Sequence, residues 1–86
     1  MNQQIEVFLK QERDFRFAID FGGGIPVLHG DETLPRGSGI APTSVQLLAA
    51  AVENCLSDRL FFTLQKFKQD AQGIATKVSA TVGRNT

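Results

Sequence analysis

The sequence predicts an α+β fold, with an N-terminal antiparallel hairpin or small sheet, a long central helix carrying Cys55, and a following strand. Three observations carry it: period-two alternation before residue 22, a helix-compatible run opened by a capping box at Thr43, and period two again from Ile74. In "QIEVFLKQERDFRFAIDF", Ile5, Val7 and Leu9 fall in one phase and Phe15, Phe17, Ile19 and Phe21 in another. Alternating β-branched and aromatic residues suit half-buried strands, and the polar "KQERD" between them reads as the turn.

"GGG" at 22–24 ends the second strand, and "IPVLHG" reads as a short third strand that Pro26 keeps at an edge. The triplet lacks the spacing of a phosphate-binding glycine loop and reads as a flexible turn. "DETLPRGSGIAP" gathers two prolines and two glycines into a loop. Thr43 is then the N-cap of the helix and Gln46 the return half of a capping box, with the helix running to about Asp70 and Gly73 as its left-handed cap. The first half of that helix is apolar nearly all round, and the second narrows to Leu56, Leu60, Leu64 and Phe67. "GIATKVSATV" alternates again and is read as the fourth strand.

Composition bounds the function. The 86 residues, 42% hydrophobic, describe a single domain over 1–86 with no repeat or internal boundary. A lone chain of this size buries only about 60% of its unfolded surface, so a partner chain is expected. Nine basic and nine acidic residues balance with no Lys/Arg cluster, which argues against nucleic acid as the main ligand. The longest nearly apolar run, Leu47 to Val52, is far short of the roughly 20 residues that span a bilayer, so no membrane association is expected. The opening "MNQQIEVFLKQERD" has no basic stretch followed by an apolar one, and with one cysteine no internal disulfide forms; both point to the cytoplasm.

Cys55 is the residue with chemistry to offer. A free cysteine on an apolar helix is most often a small buried hydrophobe. Reactivity requires the thiolate, hence a nearby cation, and the chain offers Arg13, Arg16, Arg36 and Arg59. Arg59 lies one turn beyond Cys55, where its ordinary role is a solvated salt bridge with Asp58 or Glu53. His29, the only histidine, reads as a surface loop residue in preference to a general base for the thiol. One His and one Cys give no metal-ligand spacing, so neither a metal nor a cofactor is expected.

Taken together, "SGIAPTSVQLLAAAVENCLSDRLFFTLQKF" resembles the central segment of the OsmC-like family, the osmotically inducible and organic hydroperoxide resistance proteins. The resemblance lies in the Gly39 to Pro42 loop, the small-residue helix start at Leu47 to Ala51, and a cysteine about a dozen residues after the loop; the hairpin and following strand stand in family order. It implies an intertwined homodimer with long central helices packed under antiparallel sheets. In the family's peroxidases the helix cysteine attacks the peroxide as a thiolate, an arginine of the N-terminal hairpin stabilises that thiolate, and a later cysteine resolves the sulfenic acid. Cys55 matches the attacking position, and Arg13 matches the arginine, with Arg16 as second choice. A guanidinium is always charged and directs its donors more tightly than an ammonium.

Two positions depart from the pattern. Val45 stands where many members carry a glutamate at the helix start, and the resolving cysteine is missing, as expected of a truncated product or a short relative. Without a resolving thiol, a sulfenate at Cys55 is reduced by an external thiol or oxidised further. Apolar lining from Leu48, Val52, Phe61 or Phe62 would favour alkyl or lipid hydroperoxides. The competing reading keeps the fold as a non-catalytic dimeric scaffold or small-ligand-binding module with Cys55 buried; a third is an unrelated interaction domain using its long helix as a binding face.

Overall fold

The computed structural model describes residues 3–70 and 72–83. The chain divides into two compact units, Met1–Leu47 and Leu48–Thr86. The first holds a three-stranded antiparallel sheet in the order β1-β2-β3, with β1 Phe8–Arg13, β2 Arg16–Asp20 and β3 Leu28–Gly30. α1, Ser44–Lys66, begins in the first unit and makes up much of the second. The α+β class, the hairpin and the long central helix thus stand as the sequence predicts.

Opposite residues in a ladder share a face of the sheet. Leu9 pairs Ile19, Gln11 pairs Phe17, and Ile19 pairs Leu28, which gives the apolar face; Lys10, Ala18 and His29 line up on the wet one. "KQER" is therefore strand, and only Asp14 and Phe15 make the turn. Polar residues suit an edge strand with one wet face, where Lys and Glu also discourage stray pairing. Asp14 takes φ 48°, a left-handed conformation that Asp tolerates better than most residues. β3 is the other edge, as expected, although Pro26 lies before the strand and not in it.

The loop after β3 is organised by Asp31, which is 3% exposed. Its carboxylate accepts the N–H of Glu32 (2.8 Å) and of Ser38 (3.1 Å), so one side chain ties both ends of a seven-residue span. Asp31 N–H to Pro42 O at 2.9 Å then brings the chain to the helix start. The capping box forms in both directions: Gln46 N–H donates to Thr43 Oγ1 (3.1 Å) and Thr43 N–H to Gln46 Oε1 (2.9 Å).

Two expectations about the C-terminal part are corrected. The helix stops at Lys66, short of Asp70, and its left-handed cap residue is Lys68 at φ 59°; Gly73 is also left-handed, at φ 77°, but lies beyond the cap. Gln69 N–H to Leu64 O and Lys68 N–H to Gln65 O, each 2.9 Å, complete a Schellman cap, which satisfies the last carbonyls before Gly73 is reached. The fourth strand does not form: among the described residues 72–83 there is no strand. Alternation supplies a strand-like face, but a strand exists only where a neighbour accepts its ladder bonds. This segment meets α1 instead, with Ser57 Oγ and Thr76 Oγ1 3.1 Å apart.

No hydrophobic side chain is buried among the described residues. Leu48 (66% exposed), Leu56, Leu60, Phe62 and Phe67 all face outward from α1 or its cap. No described helix is long and apolar enough to cross a membrane.

Candidate functional site

Cys55 is a free, exposed thiol, so its expected role as a buried packing residue is not met. It lies in an open depression of about 610 Å³ with Asp58, Arg59, Phe62 and Thr63. At 3.6 residues per turn, offsets of 3, 4, 7 and 8 place all five on one side of α1. The helix thus presents a thiol, a guanidinium one turn on, and an aromatic ring after that. Among the described residues Arg59 makes no ion pair with Asp58 or Glu53, which corrects the salt bridge expected from sequence; it lines the thiol's depression together with Asp58.

The other predicted residues are placed as follows. Arg13 and Arg16 lie in the first unit, Cys55 in the second. Arg13 Nε is 3.7 Å from Asp14 Oδ2 with both side chains largely exposed, an ion pair of small energetic weight. Arg16 Nε is 3.6 Å from Glu12 Oε1 and has no hydrogen-bond partner. Of the four apolar candidates, Phe62 lines the thiol's depression; Leu48, Val52 and Phe61 are exposed but do not line it. His29 sits in β3 and not in a loop, with Nε2 3.4 Å from Glu12 Oε2. The small Ala18 between them, opposite His29 on β2, lets the two side chains meet across the wet face.

A second cavity, of about 290 Å³, lies wholly in the first unit. Leu9, Phe15, Phe17 and Ile19 floor it from the sheet's apolar face, Leu47 closes one side, and Asp31, Glu32 and Ser44 form its polar rim. Burial opposes ionisation of Asp31, but the N–H groups of Glu32, Ser38 and Ile40 and the Arg16 charge outweigh it and hold its pKa below the ordinary 3.8. The rim is therefore anionic at neutral pH.

Sequence reasoning placed Arg59 one turn beyond Cys55 but assigned it to a salt bridge, and it missed Asp31 as the loop's organiser. The signal for Asp31 was an Asp directly after a strand, followed by a loop with glycines and a serine, where carboxylates bind nearby backbone N–H groups. No group of three or more His, Cys, Asp or Glu able to hold a metal occurs among the described residues. Comparison with protein-family models, with curated proteins and with solved structures yields no match to this chain.

Proposed function

We propose that the chain is an OsmC-like thiol peroxidase of the cytoplasm, acting as a homodimer and reducing organic hydroperoxides through Cys55. The observation that carries the reading is the exposed Cys55 thiol sharing one depression with the Arg59 guanidinium and the Phe62 ring. In the reaction the thiolate sulfur attacks the distal peroxide oxygen; the S–O bond forms as the O–O bond breaks. The departing alkoxide takes a proton to become the alcohol, and sulfur, having given up two electrons, is left as a sulfenic acid. Two equivalents of an external thiol return it to the thiol, releasing water and a disulfide. A cation near the sulfur favours the thiolate and the developing negative charge on oxygen. Arg13 is the residue the family resemblance assigns to that task, and Arg59 is the cation that shares the thiol's depression. Phe62 offers an apolar surface for an alkyl group.

The test is intact mass after one equivalent of an organic hydroperoxide with a sulfenic-acid trap present, in the native chain and in Cys55→Ser, Arg13→Ala and Arg59→Ala. Rapid trapping lost in Cys55→Ser, and slowed in either arginine variant, is the expected result. Trapping no faster than that of a small free thiol would overturn the reading. The small-ligand alternative is favoured by the 290 Å³ cavity of the first unit, which involves no cysteine.

A further inference from the structure

We propose that the cavity of the first unit binds a small arylalkylamine in its cationic form, with the ring against Phe15 and Phe17 and the ammonium group at Asp31, Glu32 and Ser44. Every lining residue falls within Met1–Leu47, so the site belongs to one unit. The proposal gives the small-ligand reading its ligand class and is independent of the thiol chemistry.

Size limits the ligand first. An apolar cavity of about 150 Å³ accepts one benzene ring. The volume here, about 290 Å³, adds space for a short aminoalkyl tail beside such a ring. It sits at the lower end of small-molecule sites, about 300 Å³, which is too small for a nucleotide or a long lipid. Gly30 keeps it open: a Cβ there would lie 3.3 Å from Leu47 Cδ1 and 3.8 Å from Ile19 Cδ1, two side chains that wall the cavity. Two phenylalanines among the lining groups favour an aromatic occupant, because offset and edge-to-face ring pairs add to the effect of buried area.

Charge decides the other end of the ligand. The charged residues that line the cavity are both acidic, Asp31 and Glu32, and Ser44 adds a hydroxyl. Arg36 lies 5.8 Å from the Phe15 ring centroid and the Arg16 charge acts on Asp31, but neither arginine lines the cavity. Asp31 accepts the Glu32 N–H on Oδ1 and the Ser38 N–H on Oδ2, and the Ile40 N–H is a third donor. An ionised carboxylate has about four acceptor positions, so capacity for one more donor remains. At 3% exposure the Asp31 carboxylate is little screened by water, and its attraction for a cation is correspondingly strong. An ammonium group has three donors and no acceptor, which matches a rim of two carboxylates and a hydroxyl. An anionic ligand would meet repulsion at the same rim.

The test follows amide chemical shifts of the whole 86-residue chain by heteronuclear NMR as phenethylamine is added. Phenethyl alcohol and hydrocinnamate serve as neutral and anionic counterparts of similar size. Saturable shifts centred on Phe15, Phe17, Gly30 and Leu47 are expected, with the amine binding about tenfold or more tighter than the alcohol and the carboxylate not binding. Affinity for the amine should fall as salt is raised. Glu32→Gln should weaken the amine about threefold and leave the alcohol unchanged, while Leu47→Phe, which takes up volume, should weaken both. Circular dichroism establishes that each variant is folded, and Glu32→Gln carries the test if Leu47→Phe does not fold. Cys55→Ser should bind the amine as the native chain does, so failure of this site and failure of the peroxidase reading are separately visible. Equal affinity for amine and alcohol, tighter binding of the carboxylate, shifts centred elsewhere, or no saturable shift would each overturn the proposal.

Discussion

Gly37 gives the sharpest test of how the Asp31 loop is built. A Cβ at Gly37 would collide with the Glu32 carbonyl oxygen and meet Asp31 Oδ1 at 2.5 Å and Glu32 N at 2.7 Å. Backbone and a pinned carboxylate, not flexible side-chain ends, occupy the space, so a methyl group forces residues 32 and 37 apart. Overpacking of this kind costs about 1–3 kcal/mol. Separation also strains the Gly39 N–H to Glu32 O bond of 3.0 Å, worth about 1 kcal/mol more. The total, about 2–4 kcal/mol, is a large share of the roughly 4–13 kcal/mol expected for a chain of this length. Scanning calorimetry of Gly37→Ala should show a melting temperature roughly 10–30 °C below the native one. Gly24→Ala is the control: nothing lies within 4 Å of its Cβ, and only its φ of 78° is unfavourable, at about 1–2 kcal/mol. A Gly37→Ala protein that melts within about 2 °C of native, or above the control, would refute this account of the loop.

Two further predictions follow from single residues. Lys68→Gly should stabilise the end of α1 by about 1 kcal/mol, since the Schellman cap needs a left-handed residue and lysine holds that place at a steric cost; slower amide exchange at Gln69 is the readout. Asp31 has a pKa lower folded than unfolded, so its contribution is complete above the unfolded value and disappears as pH falls through the folded one. Asp31→Asn should therefore lower stability at neutral pH and flatten the loss of stability below about pH 4, measured by urea titration across pH.

What the sequence revealed and what it concealed divide along the line between local and non-local causes. The capping box at Thr43 and Gln46 was legible because both partners lie within one turn. The third strand's edge position was predicted from Pro26, but that proline precedes the strand and so does not itself cause it. "KQERD" was misread because a polar strand on a wet sheet edge and a polar turn have the same composition; only the pairing Leu9 to Ile19 and Gln11 to Phe17 distinguishes them. The strand at 74–83 was read from a side-chain pattern, whereas strand formation depends on a neighbour whose presence no pattern encodes. The cysteine's exposure was hidden for a similar reason: an apolar helix implies cover, but the sequence does not say which chain provides it.

The geometry of α1 bears on whether the proposed homodimer and the proposed thiol chemistry can coexist. Taking about 100° per residue, Leu56, Leu60, Leu64 and Phe67 fall within a quarter of the helix circumference. Cys55 and Phe62 lie about two-fifths of a turn away from the middle of that stripe, and Arg59 sits between them and it. Leu48 and Val52 occupy the same intermediate sector about three and two turns earlier, and both are exposed. A second copy seated on the leucine stripe would thus reach Arg59 before it reaches Cys55. Withdrawing water from one side of the guanidinium strengthens its interaction with a nearby thiolate, because the effective dielectric falls. The thiol itself would stay open to a peroxide from the other side. On this geometry the leucine face and the Cys55 face are neighbours on one helix, and under the proposed reaction covering the first would favour the charge separation at the second.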